Sequence, residues 1–147
     1  MRAVVQRVSR AAVRVEGQGV GEIERGLAVL LGIGAGDGGA EVGWMVRKLA
    51  ELRIFPDADG KMNRSLEDVG GAVLLVSQFT LSGDVAKGRR PSYTGAAPPE
   101  IAAPLVAEVA AGLRARGIPV ECGRFGAMME VELVNQGPVT ILLETAP

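Results

Sequence analysis

The sequence predicts an α+β fold, in which a mixed, largely antiparallel sheet or barrel-like β core packs against two main helices. Three observations support this prediction: strand-like segments outnumber helical ones, the two helical segments lie far apart, and there is no regular βαβ repeat. The chain has 147 residues, of which 48% are hydrophobic. It is therefore expected to form a single domain, residues 1–147, with a substantial core.

The N-terminal part of the chain is predicted to form strands. Residues 2–8 lead into residues 12–15, and a turn at 17–19 is followed by a return strand at 20–24. Residues 27–33 are continuously apolar, which is typical of a central strand.

The first helix is predicted over residues 40–52, because its apolar residues recur at helical spacing. Those residues are Val42, Met45, Val46, Leu49 and Leu52. A short strand at 53–55 and a turn at 56–60 follow. The Asp-Ala-Asp-Gly sequence of that turn lacks the spaced ligands and the closing Glu of an EF-hand, so we favour a plain turn over a calcium loop.

The second helix follows a buried strand at 72–77 and a long loop at 83–97. Ile101, Leu105, Val109 and Leu113 are predicted to line one face of it, and Arg116-Gly117 ends it. Pro104 disrupts a helix unless it lies in the first turn, so the N-terminal boundary of this helix stays open.

The C-terminal residues again predict strands. Residues 120–124 form one, residues 129–133 alternate between apolar and acidic side chains, and residues 139–143 close the chain.

Composition excludes several classes of chemistry. The chain has no histidine, so it cannot use an imidazole base, a Ser-His triad or a His-ligated metal. Its one cysteine, Cys122, excludes a disulfide framework and a cysteine zinc site, and fits a reducing, cytoplasmic location. We expect no metal and no cofactor.

Charge and hydropathy also limit the partners. The net charge is −1, so the chain lacks the overall positive field of a typical duplex-binding domain. No apolar segment approaches the roughly 20 residues of a membrane span, and we expect no membrane partner.

Two strand ends carry polar groups suited to chemistry. After the strand at 72–77, backbone amides near Phe79 and Thr80 leave the sheet, and two such amides can hold a developing oxyanion. The alternative is a strand that simply ends in polar residues, with Thr80 making a turn hydrogen bond.

Gly137-Pro138 is the second position, where glycine allows a close backbone approach to a ligand. Its alternative is an ordinary trans turn, because few X-Pro bonds are cis.

A basic loop offers a further candidate. Lys87, Arg89 and Arg90 lie beside a proline and an aromatic residue and could bind phosphates, although such a run is more often solvated. Phe125 could stack on a base or belong to the core.

Taken together, these segments resemble the D-aminoacyl-tRNA deacylase family over essentially the whole chain. The matching stretches are MRAVVQRV, LRIFPDADGKMNRSL, LLVSQFTL, KGRRPSY and GRFGAMMEVELVNQGPVT. SQFTL and GPVT, with FGAMM shortly before the latter, are highly specific. The chain departs from the usual family pattern at Gln136, where Asp is common, and at Ser82, where an aromatic residue is common.

The resemblance implies a homodimer that hydrolyses D-aminoacyl-tRNA, with two active sites at the subunit interface. One subunit supplies the pocket for the 3′-terminal aminoacyl-adenosine, and the cis Gly-Pro dipeptide of the partner excludes an L side chain. The residues concerned are Gln78, Phe79 and Thr80 for catalysis, Ser77, Phe125, Met129, Gly137 and Pro138 for substrate binding, and Arg7 as a brace for the Gly-Pro loop. Lys87, Arg89 and Arg90 are expected to contact tRNA phosphates.

The missing histidine agrees with this chemistry. An aminoacyl ester is already activated, so the site needs positioning and oxyanion stabilisation more than a strong base. The proton relay is expected to be the substrate's own ribose 2′-hydroxyl, and Thr80 as a covalent nucleophile is less favoured. Mischarged glycyl-tRNA is an expected second substrate. Two other functions stay open: a related enzyme that edits small L-aminoacyl-tRNAs, and a non-catalytic RNA-binding or replication-associated protein with the same fold.

Overall fold

A mixed six-stranded sheet that curls into a nearly closed barrel forms the centre of the protein. The computed structural model describes residues 1–146. The strands are β1 (Arg2–Val15), β2 (Gln18–Ile23), β3 (Gly26–Gly32), β4 (Phe55–Pro56), β5 (Met62–Arg64), β6 (Ala72–Ser77), β7 (Val120–Cys122) and β8 (Glu130–Glu144). The helices are α1 (Gly39–Glu51), α2 (Leu66–Val69) and α3 (Pro99–Ala115), and a 3₁₀ turn spans Phe79–Ser82.

The long strand β1 organises the sheet. Its first half pairs with β3, its second half pairs with β2, and β8 runs antiparallel along its other edge from Arg2–Glu144 to Arg14–Glu130. β3, β6 and β7 are parallel to one another. The ends of the sheet come close together, because a methyl group added to Gly21 of β2 would lie 3.0 Å from the carbonyl oxygen of Cys122 in β7.

Alternation along the strands divides the apolar side chains between two cores. In β3, Leu27, Val29 and Leu31 pack against the helices, whereas Ala28 faces the interior of the barrel. The same sheet therefore supports α1 and α3 on its outside and a filled barrel on its inside.

The predicted α+β class with a mixed, barrel-like sheet is confirmed, with differences in detail. The two N-terminal segments form one strand, β1, and the two C-terminal segments form one strand, β8, because each pairs with the other over nearly its whole length. The predicted strand at 53–55 lies instead at Phe55–Pro56, and that at 120–124 ends at Cys122.

The prediction of two main helices omitted α2. This short helix begins at Ser65, whose hydroxyl accepts from the Asp68 amide while the Asp68 carboxylate accepts from the Ser65 amide. This capping box could have been recognised in the sequence from the pattern Ser-x-x-Asp.

The structure places the N-terminal boundary of α3, which the sequence left open, and the predicted face was wrong at Ile101. The helix begins at Pro99, a favoured first position, so Pro104 is its sixth residue and lies beyond the first turn. Val109 and Leu113 are buried as predicted and Leu105 packs against the core, but Ile101 is 48% exposed. Ala102 and Ala110 complete the buried face. α3 has 17 residues, and no helix within residues 1–146 is long and apolar enough to cross a membrane.

Candidate active site

The 3₁₀ turn after β6 presents two backbone amides. The Gln78 amide still donates to the Leu31 carbonyl of the neighbouring strand at 2.8 Å, and the turn closes with the Leu81 amide donating to the Gln78 carbonyl at 3.3 Å. Between them, the amides of Phe79 and Thr80 donate to no acceptor within residues 1–146. They are the first N–H groups of a helical turn, which have no partner inside the turn itself.

These amides border a cavity of about 760 Å³, which we call the substrate cavity. It lies between the end of β6, the start of α3 and the segment that leads into β8. Its walls are mainly apolar, and they include six of the predicted site residues. Those six are Ser77, Gln78, Phe79, Thr80, Phe125 and Met129.

Among residues 1–146, the hydrogen-bond partner of the Thr80 hydroxyl is a side-chain amide rather than a base. The side-chain amide of Gln78 donates to the Thr80 hydroxyl oxygen. Within the described chain, no lysine or carboxylate makes a hydrogen bond to that hydroxyl. Thr80 therefore accepts one hydrogen bond and keeps its own proton available for donation.

Gly137 and Pro138 stand out of the sheet. In the pairing of β1 with β8, Gln6 faces Thr140 and Val8 faces Asn135. Only one residue of β1 lies between these two pairs, but four residues of β8 do, so residues 136–139 form a bulge. The Gly137–Pro138 peptide bond is cis, and both residues are exposed.

Two side chains hold this bulge. The Arg7 guanidinium donates from Nε to the Gln136 carbonyl at 2.9 Å and from Nη1 to the Ile54 carbonyl at 2.6 Å. The Asn135 carboxamide accepts from the Val139 amide at 2.7 Å and donates to the Val139 carbonyl at 3.2 Å. The bulge is thus anchored to both the sheet and the segment after α1.

The remaining predicted residues lie outside the substrate cavity of the same chain. Arg7, Gly137 and Pro138 do not line it, and neither do Lys87, Arg89 and Arg90. The three cations are exposed, and none makes a salt bridge with another residue among residues 1–146. The base of their loop is closed by two hydrogen bonds between Asp84 and Ser92, at 2.7 and 2.9 Å.

Charged side chains outside the candidate site make hydrogen bonds and ion pairs that stabilise the fold. In the 57–60 turn the Asp57 carboxylate accepts from the Lys61 and Asp59 amides, which lowers its pKa and accounts for a plain turn. Hydrogen bonds and ion pairs with Arg14 and Arg10 likewise lower the pKa of Glu132 on β8. Within residues 1–146, no three carboxylate or thiol groups converge as metal ligands.

Comparison with known sequences decides the family. The sequence model described as D-Tyr-tRNA(Tyr) deacylase matches residues 4–144. The chain belongs to this family. Among its relatives, the D-aminoacyl-tRNA deacylase of Roseiflexus sp. (strain RS-1) is 61% identical over 99% of this chain and 94% of its own length. That of Desulfitobacterium hafniense (strain DSM 10664 / DCB-2) is 57% identical over 99% and 97%.

Two solved structures are similar to this chain. A structure titled c-Myc DNA Unwinding Element Binding Protein superposes with a TM-score of 0.95 at 44% identity, covering 100% of both chains. A structure titled as a probable eukaryotic D-amino acid tRNA deacylase has a TM-score of 0.81 at 21% identity over 97% of both chains, which shows a shared fold.

The sequence assigned no role to two residues that lie at or near the candidate site in this member of the deacylase family, Asn135 and Tyr93. Asn135 was unmarked, although an Asn two residues before Gly-Pro is a common turn former whose side chain binds nearby backbone. Tyr93 was noted only as the aromatic neighbour of the basic loop, yet it lines the substrate cavity. A loop has no periodicity from which the direction of such a side chain can be predicted.

Proposed function

We propose that this protein is a D-aminoacyl-tRNA deacylase, a hydrolase that cleaves the ester between a D-amino acid and the 3′-terminal adenosine of tRNA. Curated relatives at 61% and 57% identity bear that name, and the family match spans nearly the whole chain. The observation that carries the chemistry is the pair of free amides, of Phe79 and Thr80, at the substrate cavity. Mischarged glycyl-tRNA is a proposed second substrate, because glycine has no side chain to exclude.

In the proposed mechanism, backbone amides stabilise the negative charge that develops on the ester carbonyl oxygen. Water attacks the ester carbonyl carbon, the carbonyl oxygen gains negative charge, and the amides of Phe79 and Thr80 donate to it. The C–O bond to the ribose then breaks, and the leaving ribose oxygen is protonated. Loss of one good oxyanion donor typically costs about 10²–10³ in rate, so two amides can supply much of the acceleration.

The proton is proposed to pass through the substrate's ribose 2′-hydroxyl rather than through an enzyme base. The absence of histidine and the single amide partner of Thr80 support this assignment. Gln78 has the role of orienting the Thr80 hydroxyl, which in turn can donate to the substrate. Ser77, Phe125 and Met129 are proposed to contact the aminoacyl-adenosine at the walls of the substrate cavity.

We further propose a homodimer in which Gly137 and Pro138 of one subunit enter the substrate cavity of the other. Both residues are exposed in the single chain and do not line its own cavity. β8 also supports an interface, because within residues 1–146 only β1 pairs with it and its Leu142 side chain is 76% exposed. A long unpaired edge with apolar side chains favours association. In this arrangement Arg7 and Asn135 fix the dipeptide that tests substrate chirality.

The cations of the basic loop are proposed to contact tRNA phosphates. Lys87, Arg89 and Arg90 are exposed and free of salt bridges within the described chain, and the same loop carries Tyr93 into the cavity wall. A phosphate backbone near the cavity mouth would meet this loop first.

One other function has specific support, and a second has none. A non-catalytic nucleic-acid-binding protein is suggested by the 44% identical structure titled as a DNA unwinding element binding protein. An editing enzyme for small L-aminoacyl-tRNAs would need a wider entrance than the proposed dipeptide leaves.

One assay separates these functions. Purified protein is incubated with D-tyrosyl-, L-tyrosyl-, L-alanyl- and glycyl-tRNA, and release of the amino acid is followed. A D-aminoacyl-tRNA deacylase turns over the D-tyrosyl substrate and spares its L enantiomer, whereas turnover of L-alanyl-tRNA alone would indicate the editing enzyme. No turnover of any substrate would contradict the proposed function.

A matched pair of variants ties the activity to the cavity. Ser77→Trp fills the substrate cavity and should abolish turnover. Ala111→Trp adds the same ring to an exposed position of α3 outside the cavity and should leave turnover unchanged.

A further inference from the structure

The ring of Phe79 packs against Tyr93, a residue of the loop at 83–97. Phe79 carries one of the two free amides, and its own side chain is 57% exposed. Tyr93 lies against it, with ring centroids 5.1 Å apart and planes inclined at 70°. This is the edge-to-face geometry that aromatic pairs favour.

The backbone around Tyr93 is anchored to the fold. The Ser92 amide and carbonyl bond to Asp84, the Ala96 amide donates to the Tyr93 carbonyl at 3.0 Å, and the Ala97 amide donates to the Ile33 carbonyl at 3.0 Å. The Ala35 amide also donates to the Gly95 carbonyl at 2.9 Å. The tip of the loop is exposed, but the segment that presents the Tyr93 ring is fixed to the end of β3.

Gly83 makes room for this contact. A methyl group added there would lie 3.1 Å from the Tyr93 ring and 3.0 Å from the Thr80 carbonyl oxygen. The Gly83 amide closes the 3₁₀ turn by donating to that same carbonyl at 3.0 Å. The Tyr93 ring therefore packs on Phe79, the first residue of the turn, and lies close to Gly83, the residue that follows the turn.

The Tyr93 ring, rather than its hydroxyl, makes these contacts. Within residues 1–146 the phenolic oxygen has no hydrogen-bond partner, whereas the ring packs on Phe79 and lines the substrate cavity. A turn of four residues has few contacts of its own, so packing from outside decides how rigidly its amides are aimed.

We propose that Tyr93 is a positioning residue for deacylation, whose ring clamps the 3₁₀ turn so that the Phe79 and Thr80 amides point at the developing oxyanion. This inference rests on the proposed function. It predicts a loss in the chemical step rather than in substrate binding, because the clamp acts on groups that bind most strongly in the transition state.

The first experiment compares Tyr93→Ala with Tyr93→Phe in the full-length protein, with D-tyrosyl-tRNA as substrate. Misplacement by about 1 Å can cost roughly 10²-fold in rate, so Tyr93→Ala should lower kcat on the order of tenfold to a hundredfold with little change in KM. Tyr93→Phe keeps the ring and should retain most of the activity. Val85→Ala, which removes another exposed apolar side chain of the same loop, is the control and should behave as wild type.

A second measurement separates positioning from binding. The Kd of a non-hydrolysable amide-linked D-tyrosyl-adenosine analogue should be nearly unchanged in Tyr93→Ala, because its planar carbonyl carries no oxyanion. Gly83→Ala should lower kcat, because its methyl group would lie 3.1 Å from the Tyr93 ring and 3.0 Å from the Thr80 carbonyl oxygen. The part of this loss that acts through the ring should disappear in the Tyr93→Ala background.

The outcomes are distinguishable. Full kcat in Tyr93→Ala overturns the inference, and so does a loss in Tyr93→Phe as large as in Tyr93→Ala, which would assign the role to the hydroxyl. If Tyr93→Ala fails to fold, the kcat of Gly83→Ala decides instead, and wild-type kcat there overturns the inference. An inactive wild-type protein overturns the proposed function itself.

Discussion

Two inactive variants should restore each other's activity if each site takes residues from both subunits. The first variant, Ser77→Trp, fills the substrate cavity. The second, Gly137→Ala, adds a methyl group that would lie 2.8 Å from Val139 Cγ2 and 2.9 Å from the Val139 amide nitrogen. It would also lie 3.2 Å from the Arg7 guanidinium, so the bulge must move.

The size of the defect in Gly137→Ala follows from its backbone. Gly137 has φ of +144°, a conformation that residues with a side chain rarely adopt. Holding a non-glycine residue in such a region costs on the order of 1–3 kcal/mol, which is enough to displace an exposed loop without unfolding the domain. The Gly137→Ala homodimer should therefore fold, but it should lose D-selective turnover.

The rescue has a defined magnitude. A two-fold dimer of one Ser77→Trp chain and one Gly137→Ala chain has one site containing both defects and one site containing neither. Purified heterodimers should show about half of the wild-type rate per dimer, and a random equal mixture should show about a quarter.

The assay uses two affinity tags to isolate heterodimers and measures release of D-tyrosine from tRNA, with L-tyrosyl-tRNA for selectivity. Melting temperatures of each homodimer provide the control for folding. Verified heterodimers without D-selective turnover, formed from two folded variants, would mean that the site is built within one chain.

Four further predictions follow from the site and its surroundings. Thr80→Ala should lose part of the rate without trapping an acyl-enzyme, and a D-aminoacyl adduct on wild-type Thr80, seen by mass spectrometry after quenching, would contradict this. EDTA should leave turnover largely intact; loss of turnover with recovery on adding a metal would reveal an unrecognised site. Neutralising Lys87, Arg89 and Arg90 together should weaken binding to all tRNAs alike and flatten its salt dependence, whereas an unchanged slope would move the phosphate contacts elsewhere. Because hydrogen bonds and ion pairs with Arg14 and Arg10 lower the pKa of Glu132, its contribution to stability exists above the usual pKa of about 4.3 and is lost as the pH falls through the lowered value. Glu132→Gln should therefore lose less unfolding free energy than wild type on acidification, and equal acid sensitivity in denaturant titrations would refute this.

The strand ends of the site could be predicted from the sequence because they are local features. A buried apolar run that stops at Ser77 predicts a strand end, and the structure has β6 ending there. That Phe125 and Met129 line the same cavity as Ser77 could be expected only from the resemblance, because the sheet, not their sequence spacing, brings them together.

The errors also have physical causes. The row at 101, 105, 109 and 113 has a strict spacing of four residues, which drifts around a helix of about 3.6 residues per turn. Ile101, at the start of the row, therefore leaves the face on which Val109 and Leu113 are buried. Four residues give too few turns to show periodicity, so α2 could be recognised only from its cap at Ser65. The direction of Tyr93 depends on hydrogen bonds between loop and sheet, which leave no pattern in the sequence.

The pairing of β1 with β8 has a consequence for synthesis of the protein on the ribosome. Arg2 finds its partner only when Glu144 is available, because these two residues face each other in the sheet. At about 5–20 residues per second, translation of the intervening chain takes roughly 7–28 s. Throughout that interval one edge of β1 stays unpaired in the nascent chain. A ribosome stalled late in the message would hold a chain in which β8 does not cover this edge of β1, and we expect such chains to be preferred clients of chaperones and proteases.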